Sequence, residues 1–288
     1  MKVAVLVITS NENLYIRDFV EYYLKIGVDN VILGDNSPKN GDHPQMVIGD
    51  YIDSGFVKYV NYRDYNGNDW QVGFYNKMIS KYKNEYDWIA AFDIDEYLTF
   101  NNGITNIKEF LSNEEINKYG QIKVNWRVYG DNGKLYYENK PVMERFPNPT
   151  EPVDFLNICC DTPYVENSST KVIVNCKVDY IEFVTPHVCV TIKDNQYIAA
   201  CNPSGNFVNY SSGCAMMDYD VAQLNHYQTL TISEFLYRKF SRGGKKEAFG
   251  EILEYDKKMR EFWQCNEKTK EKEEIANLFF KDINDGLI

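Results

Sequence analysis

Trp88-Ile89-Ala90-Ala91-Phe92-Asp93-Ile94-Asp95-Glu96-Tyr97-Leu98 is the stretch whose reading decides the fold. An apolar run of strand length stops abruptly at three carboxylates. A strand covered on both faces reads as such a continuous run, which predicts a parallel strand inside an α/β sheet. Ligands of open α/β sheets bind just beyond the carboxyl ends of the strands. The acids therefore stand where a site is expected. In extended backbone, alternate side chains share a face, so Asp93 and Asp95 are expected to point the same way. Two convergent carboxylates suit a hard cation, Mn²⁺ or Mg²⁺, that prefers oxygen ligands and keeps positions for substrate phosphates. The competing reading is a strand that ends in a polar turn, because Asp-x-Asp on its own is common.

The chain upstream sets the strand in context. Val3–Ile8 reads as a first buried strand, and Thr9-Ser10-Asn11-Glu12-Asn13 as a polar turn with several possible helix caps. Ile16, Phe19, Val20, Tyr23 and Leu24 recur at helical spacing, and Gly27 stops them. Val31-Ile32-Leu33 is a second strand, closed by Gly34-Asp35-Asn36-Ser37-Pro38. Strand, helix and strand with short links predict a parallel pair with a right-handed crossover. A helix near Met46–Ile52, a strand at Phe56–Val60 and a helix over Trp70–Tyr82 continue the pattern up to the acids.

Beyond Leu98 the pattern changes. Ile107–Tyr119 is expected to be helical, and Ile122–Tyr129 alternates ahead of the turn Gly130-Asp131-Asn132-Gly133. Pro141–Pro163 is expected to be a long loop. Lys171–Val174, Ile181–Val184 and Val188–Ile192 read as short strands in mixed or antiparallel company, and Asn202–Gly213 as a further loop. A helix is expected from near Ser233 into the basic run Arg238, Lys239, Arg242, Lys245 and Lys246. The tail from Glu247 is charged and helical, with Trp263 and Leu278-Phe279-Phe280 as packing residues.

Composition narrows the function. With 288 residues the chain is long enough for one large α/β domain with an elaborated second half. A net charge of −11 speaks against nucleic acid, which needs clustered Lys and Arg. It also leaves an anionic substrate in need of a local cation. The seven cysteines are odd in number and include no Cys-x-x-Cys pair, so reduced thiols are expected rather than a zinc site or a disulfide framework. The apolar run Val3–Ile8 is too short for a signal peptide and lacks a small-residue cleavage site after it. These features lead to the expectation of a cytoplasmic protein.

Taken together, the segments resemble a GT-A fold glycosyltransferase in the neighbourhood of families 2 and 92. The carrying residues are Thr9-Ser10-Asn11-Glu12 with the helix Tyr15–Leu24, Val31–Ser37, Trp70-Gln71, Trp88–Leu98 and Trp126-x-x-Tyr129-Gly130. The later ones are Lys171-Val172-Ile173, His187, Leu224-Asn225-His226-Tyr227 and Ser233-x-x-Phe-x-x-Arg-Lys-x-x-Arg-Gly. The resemblance implies a GT-A domain over residues 1–246, with a mostly parallel nucleotide-binding sheet and helices on both faces. Residues 1–100 form its nucleotide-sugar half and 101–246 a smaller mixed or antiparallel acceptor half. Residues 247–288 form a C-terminal helical extension.

What the site residues do is likewise implied by the resemblance. Thr9 and Glu12 would lie near the nucleoside, and Asp35 near the base or ribose. Gln71 would flank the donor sugar. Asp93 would reach the ribose or a metal-bound water, and Asp95 would ligate Mn²⁺ or Mg²⁺, with His226 as second ligand and His187 as a weaker candidate. Lys239 and Arg242 would contact the diphosphate, and Trp126 would stack on an acceptor sugar unless it is core. Such an enzyme moves a hexose from a nucleotide sugar, UDP-linked on this expectation, to a glycan or lipid-linked glycan in polysaccharide or surface-glycan synthesis. An inverting reaction needs a base. Asp131 is the residue expected for it, with Glu96, Asp218 and Asp154 as alternatives. The basic run leaves room for peripheral contact with an anionic membrane face. Two other classes stay open, a nucleotidyltransferase and a non-catalytic carbohydrate-binding protein. The loop Thr9–Glu12 has neither the glycine nor the cation that the former would show.

Overall fold

The computed structural model describes the chain except residues 64, 66, 68, 151–153, 157–162, 166, 167, 210, 212, 214, 242–251 and 286–288. For residues 154–156, 163–165, 241, 252–258 and 284 it describes the backbone alone. Arg242, Lys245, Lys246 and the Cys159-Cys160 pair therefore lie outside the described residues, as does the side chain of Asp154.

The first half alternates as the sequence predicts: β1 (Val3–Thr9), α1 (Ile16–Lys25), β2 (Asn30–Asp35), α2 (Gln45–Asp53), β3 (Val57–Asn61), α3 (Trp70–Tyr82) and β4 (Trp88–Ala91). The parallel order is β3-β2-β1-β4. β1 pairs with β2 on one side and with β4 on the other, so the strand order reverses between β1 and β4. That reversal is the topological switch point at which α/β sheets open a crevice.

The second half contributes β5 (Glu96–Phe100), α4 (Ile107–Leu111), α5 (Glu114–Asn117), β6 (Gln121–Val128), α6 (Val142–Arg145), β7 (Asp154–Leu156), β8 (Pro163–Val165) and β9 (Thr170–Asn175). It continues through β10 (Tyr180–Thr185), β11 (Val188–Lys193), β12 (Gln196–Tyr197), β13 (Ala200–Cys201), β14 (Phe207–Val208), β15 (Ala222–His226) and α7 (Ile232–Leu236). A π-helical turn, Tyr237–Ser241, follows, then α8 (Ile252–Cys265) and α9 (Lys270–Asn284). β9 joins the main sheet between β4 and β6, antiparallel to both. β10–β12 form a separate antiparallel sheet. The architecture is thus α/β, with one large, mostly parallel sheet and a smaller antiparallel one.

Two apolar layers sandwich the sheet. Val3, Val5 and Val7 face one with Phe19, Val20 and Tyr23 of α1; Ala4, Leu6 and Ile8 face the other with Phe74, Tyr75 and Met78 of α3. Each such side chain contributes about 1.5–3 kcal/mol on leaving water. α3 sits so close that a Cβ on Gly34 would lie 2.6 Å from the Phe74 ring. α1 is also bolted to the strand after the acids. Tyr23 Oη donates to the Glu96 carbonyl at 2.8 Å and accepts from Leu98 N at 3.2 Å.

Several expectations are corrected. Ile107–Tyr119 is two short helices, because the Asn113 side chain caps a new one at Glu115 N. Pro141–Pro163 holds α6 and the start of the β7–β8 hairpin. β6 is buried without alternation from Gln121 to Asn125, as befits an interior strand. The helix near Ser233 ends at Leu236 and passes into the π-helical turn. Phe279 and Phe280 pack in the C-terminal cluster as expected, whereas Leu278 is exposed. The described cysteines Cys176, Cys189 and Cys201 are buried thiols outside any disulfide. Among the described residues no helix is long and apolar enough to cross a membrane.

Candidate active site

The carboxyl edge at the switch point gathers several of the predicted residues. Thr9 and Asp35 end β1 and β2 in register, and Phe92 N donates to Leu6 O at 3.1 Å as β4 leaves the sheet. The next residues are not extended. Glu96 N donates to Asp93 O at 3.1 Å, which closes a turn over Asp93–Glu96. The two aspartates are therefore not alternate residues of one strand, and each enters its own network.

Asp93 belongs to a buried network on the β9 side. Its Oδ2 receives Lys171 Nζ at 2.8 Å; its Oδ1 receives Gln71 Nε2 at 2.6 Å and Tyr75 Oη at 3.4 Å. Lys171 is fully buried and also lies 3.8 Å from Glu96 Oε1. Burial opposes the Lys171 charge, but Asp93 and Glu96 outweigh it and hold the ammonium above its usual range. Both Glu96 oxygens are engaged, Oε1 by Trp126 Nε1 at 2.7 Å and Oε2 by Asp93 N at 2.7 Å. Trp126 is thus locked to the acid turn by its indole N–H, and its ring lies 4.1 Å from that of His226 and 5.2 Å from that of His187. His187 Nδ1 in turn lies 2.9 Å from Thr170 O.

Asp95 belongs to a second network, built by β15 and the π-helical turn. β15 pairs with β5 in a register that sets His226 opposite Glu96, and Tyr227 N donates to Asp95 O at 2.9 Å. His226 Nε2 lies 3.8 Å from Asp95 Oδ1. Arg238 Nη2 reaches Asp95 Oδ2 at 2.8 Å and Glu12 Oε1 at 3.3 Å, with the guanidinium over the Tyr15 ring at 5.5 Å. Burial would raise the Asp95 carboxyl, but the Arg238 guanidinium beside it holds it well below the usual carboxylate range. Burial pushes the His226 imidazole down to about 4, against the pull of Asp95 and Asp93. The ring is neutral at physiological pH, and a neutral ring keeps a lone pair for a ligand.

The other expected residues fall around these two networks. Asp35 is sealed: Arg63 Nε at 2.7 Å, Tyr59 Oη at 2.7 Å and Ser37 N at 3.0 Å donate to it. Thr9 Oγ1 donates to Gly34 O at 3.5 Å. Asp131 is brought together with the C-terminal helices, not with Asp93 or Asp95. Lys272 Nζ lies 2.6 Å from its Oδ2, and its own N–H donates to Asn266 Oδ1. Asp218 accepts from Asp220 N at 3.0 Å in the loop before β15, where Tyr219 Oη donates to Trp126 O at 2.8 Å. Lys239 pairs with Glu261 of α8 at 2.8 Å.

Two charged groups at this edge were given no role of their own by the sequence reading. Lys171 was named in a strand and in a segment that carries the resemblance, with no role attached to it. Arg238 was visible within the basic run, but nothing in the run singles it out from Lys239. The π-helical turn decides between them, because its wider winding changes the phase of the helix face. π-helical turns recur at functional sites.

The residues fit a divalent cation. Asp95 Oδ1 and His226 Nε2, 3.8 Å apart, can both contact one ion at ordinary ligand distances of about 2.1 Å. His226 Nδ1 is buried without a hydrogen-bond partner among the described residues. Among those residues no three His, Cys, Asp or Glu gather into a complete metal cage. An ion held here takes its remaining ligands from water and phosphate, as Mg²⁺ commonly does.

A family model described as glycosyltransferase family 92 matches residues 3–287. No curated protein matches the chain. Among solved structures, it is similar to Staphylococcus aureus TarS 1–349, with 14% identity over 91% of this chain and 79% of that one, at a TM-score of 0.41. It is similar to the same TarS fragment in complex with UDP, with 17% identity over 61% of this chain and 47% of that one, at 0.37. Glucosyl-3-phosphoglycerate synthase from Mycobacterium tuberculosis, in complex with Mn²⁺, UDP and glucosyl-3-phosphoglycerate, matches with 16% identity over 44% of each chain, at 0.30. The chain spans 47% and 43% of the first two solved chains it matches, a little under half of each.

Proposed function

The chain belongs to glycosyltransferase family 92, and from that premise we propose that it transfers a hexose from a UDP-sugar to a glycan acceptor with inversion at the anomeric carbon. One observation carries the reading: at the sheet's switch point, Asp95 stands between the neutral His226 imidazole and the Arg238 guanidinium. Anionic phosphate is best received where fixed positive charge and a cation site meet in a water-poor crevice.

Asp95 and His226 would hold Mn²⁺ or Mg²⁺. The bound ion supplies Lewis-acid neutralisation of the diphosphate leaving group. The chain's own residues do the rest. The Lys171 ammonium fixes Asp93, and Gln71 presents its amide to the same carboxylate, so the pair offers the donor a pre-ordered acceptor and donor. Trp126 and Tyr75 wall the turn and limit water. Arg238, the first cation of the basic run, would face the diphosphate. The acceptor is a glycan, free or lipid-linked.

A thermal-shift panel of UDP, GDP, CDP and ADP, each with MnCl₂ or EDTA, tests this. A ligand at a hundred times its Kd adds about 2.7 kcal/mol to the native state, which is roughly 4–5 °C for a chain this size. The expected result is a shift with UDP and manganese together that Asp95→Asn removes. No shift with any nucleotide, or the same shift in EDTA, would overturn the reading.

A further inference from the structure

Arg238 occupies the place where an incoming cation would have to compete. Its guanidinium touches Asp95 Oδ2 at 2.8 Å and Glu12 Oε1 at 3.3 Å, its Nη1 reaches Gln228 O at 3.5 Å, and its side chain is 10% exposed. Its Nε is buried with no hydrogen-bond partner among the described residues, so this guanidinium is held by its charges and still has a donor to offer. On the other side of the same carboxylate, the His226 imidazole is also left with one unpartnered nitrogen. Arg238 lies on the π-helical turn, between the capped helix α7 and residues 242–251. Lys239, beside it, is turned the other way onto Glu261.

These contacts are those of a counter-ion. A buried carboxylate must be neutralised, and a buried guanidinium likewise. Asp95 and Arg238 satisfy that demand for each other while no other charge is present. A divalent ion on Asp95 would remove the need for the guanidinium and repel it. The nearest new anion would be the diphosphate that accompanies the ion, which a guanidinium fork can meet in bidentate fashion.

We propose that Arg238 serves two anions in turn: it neutralises Asp95 and Glu12 in the donor-free site, and transfers to the donor's diphosphate when a divalent cation takes Asp95. The inference rests on the donor and cation reading above and adds a residue and a sequence of contacts to it. It makes the ion and the nucleotide bind cooperatively, because each relieves a charge the other leaves exposed.

Binding rather than turnover tests it. Manganese affinity without nucleotide is measured from the free-ion electron paramagnetic resonance signal, and UDP affinity by calorimetry in saturating manganese, for wild type, Arg238→Gln and Arg238→Lys. If the Arg238–Asp95 contact holds about nine-tenths of the donor-free molecules, its removal tightens manganese binding about tenfold. The expected result is that gain in Arg238→Gln, an intermediate value in Arg238→Lys, and UDP affinity at least tenfold weaker in Arg238→Gln. Circular dichroism confirms that the variants are folded. Manganese binding equal to or weaker than wild type, or unchanged UDP affinity, overturns the inference while the donor reading stands. No manganese binding to wild type or Arg238→Gln overturns both.

Discussion

Replacing Lys171 by methionine removes the one cation between two acids. The ammonium is fully buried, 2.8 Å from Asp93 Oδ2 and 3.8 Å from Glu96 Oε1, and Glu96 itself is fully buried. Methionine fills much the same volume, so the packing term is small. The loss is electrostatic, since an unpaired buried charge costs about 3–5 kcal/mol, or roughly 5–8 °C in Tm for a chain this long. The penalty also has a pH signature. Burial raises the Glu96 carboxyl well above the usual carboxylate range, and in the variant no ammonium opposes that. An acid whose folded pKa lies above its unfolded one stabilises at low pH and loses that stability as pH rises. The Lys171→Met deficit should therefore be full at pH 8 and shrink towards pH 5, and Glu96→Gln in the same chain should recover part of it. Chemical denaturation followed by circular dichroism at several pH values measures this. A deficit below about 1 kcal/mol, or one that does not change with pH, would refute the claim that Lys171 is the buried counter-ion of the acid turn.

Two further outcomes follow from the same geometry. His226 is held down to about 4 from 6.5, so the unfolded chain takes up its proton first and stability falls as pH drops through that window. Without metal, wild type should lose roughly 2.5 kcal/mol more than His226→Gln between pH 7.5 and 4.5, and equal losses would contradict the burial argument. Asp131→Asn leaves the Lys272 ammonium buried without its carboxylate. It should cost about 3 kcal/mol and expose α8 and α9 to limited proteolysis, whereas an unchanged digestion pattern would mean that the bridge does not anchor them.

The first half of the fold was legible because its strands are buried on both faces. Val3–Ile8, Val31–Leu33 and Trp88–Phe92 are continuous apolar runs, and α1 and α3 carry clean helical spacing between them. β5 was not legible, since it opens on Glu96, and a carboxylate reads as the end of a strand. Its burial depends on Trp126, Lys171 and β15, all distant in sequence. The same holds for the site. Asp93 and Asp95 were named from local pattern, His226 through the resemblance, and all three sit at the carboxyl edge. Lys171 and Arg238 acquire meaning only through partners far along the chain. Asp131 shows the reverse: its turn was visible, but the lysine that pairs with it lies in α9. The extended reading of Asp93–Asp95 failed for a local reason, because the Asp93–Glu96 hydrogen bond curls the chain as soon as it leaves the sheet.

The account depends on Asp95 and His226 sharing a cation that meets a nucleotide diphosphate. Anomalous diffraction at the manganese edge, from crystals grown with Mn²⁺ and UDP, reads that directly. The account predicts one strong peak within ligand distance of Asp95 and His226, with the diphosphate beside it. Manganese bound elsewhere, or UDP bound at this edge with no peak between those two side chains, would contradict it.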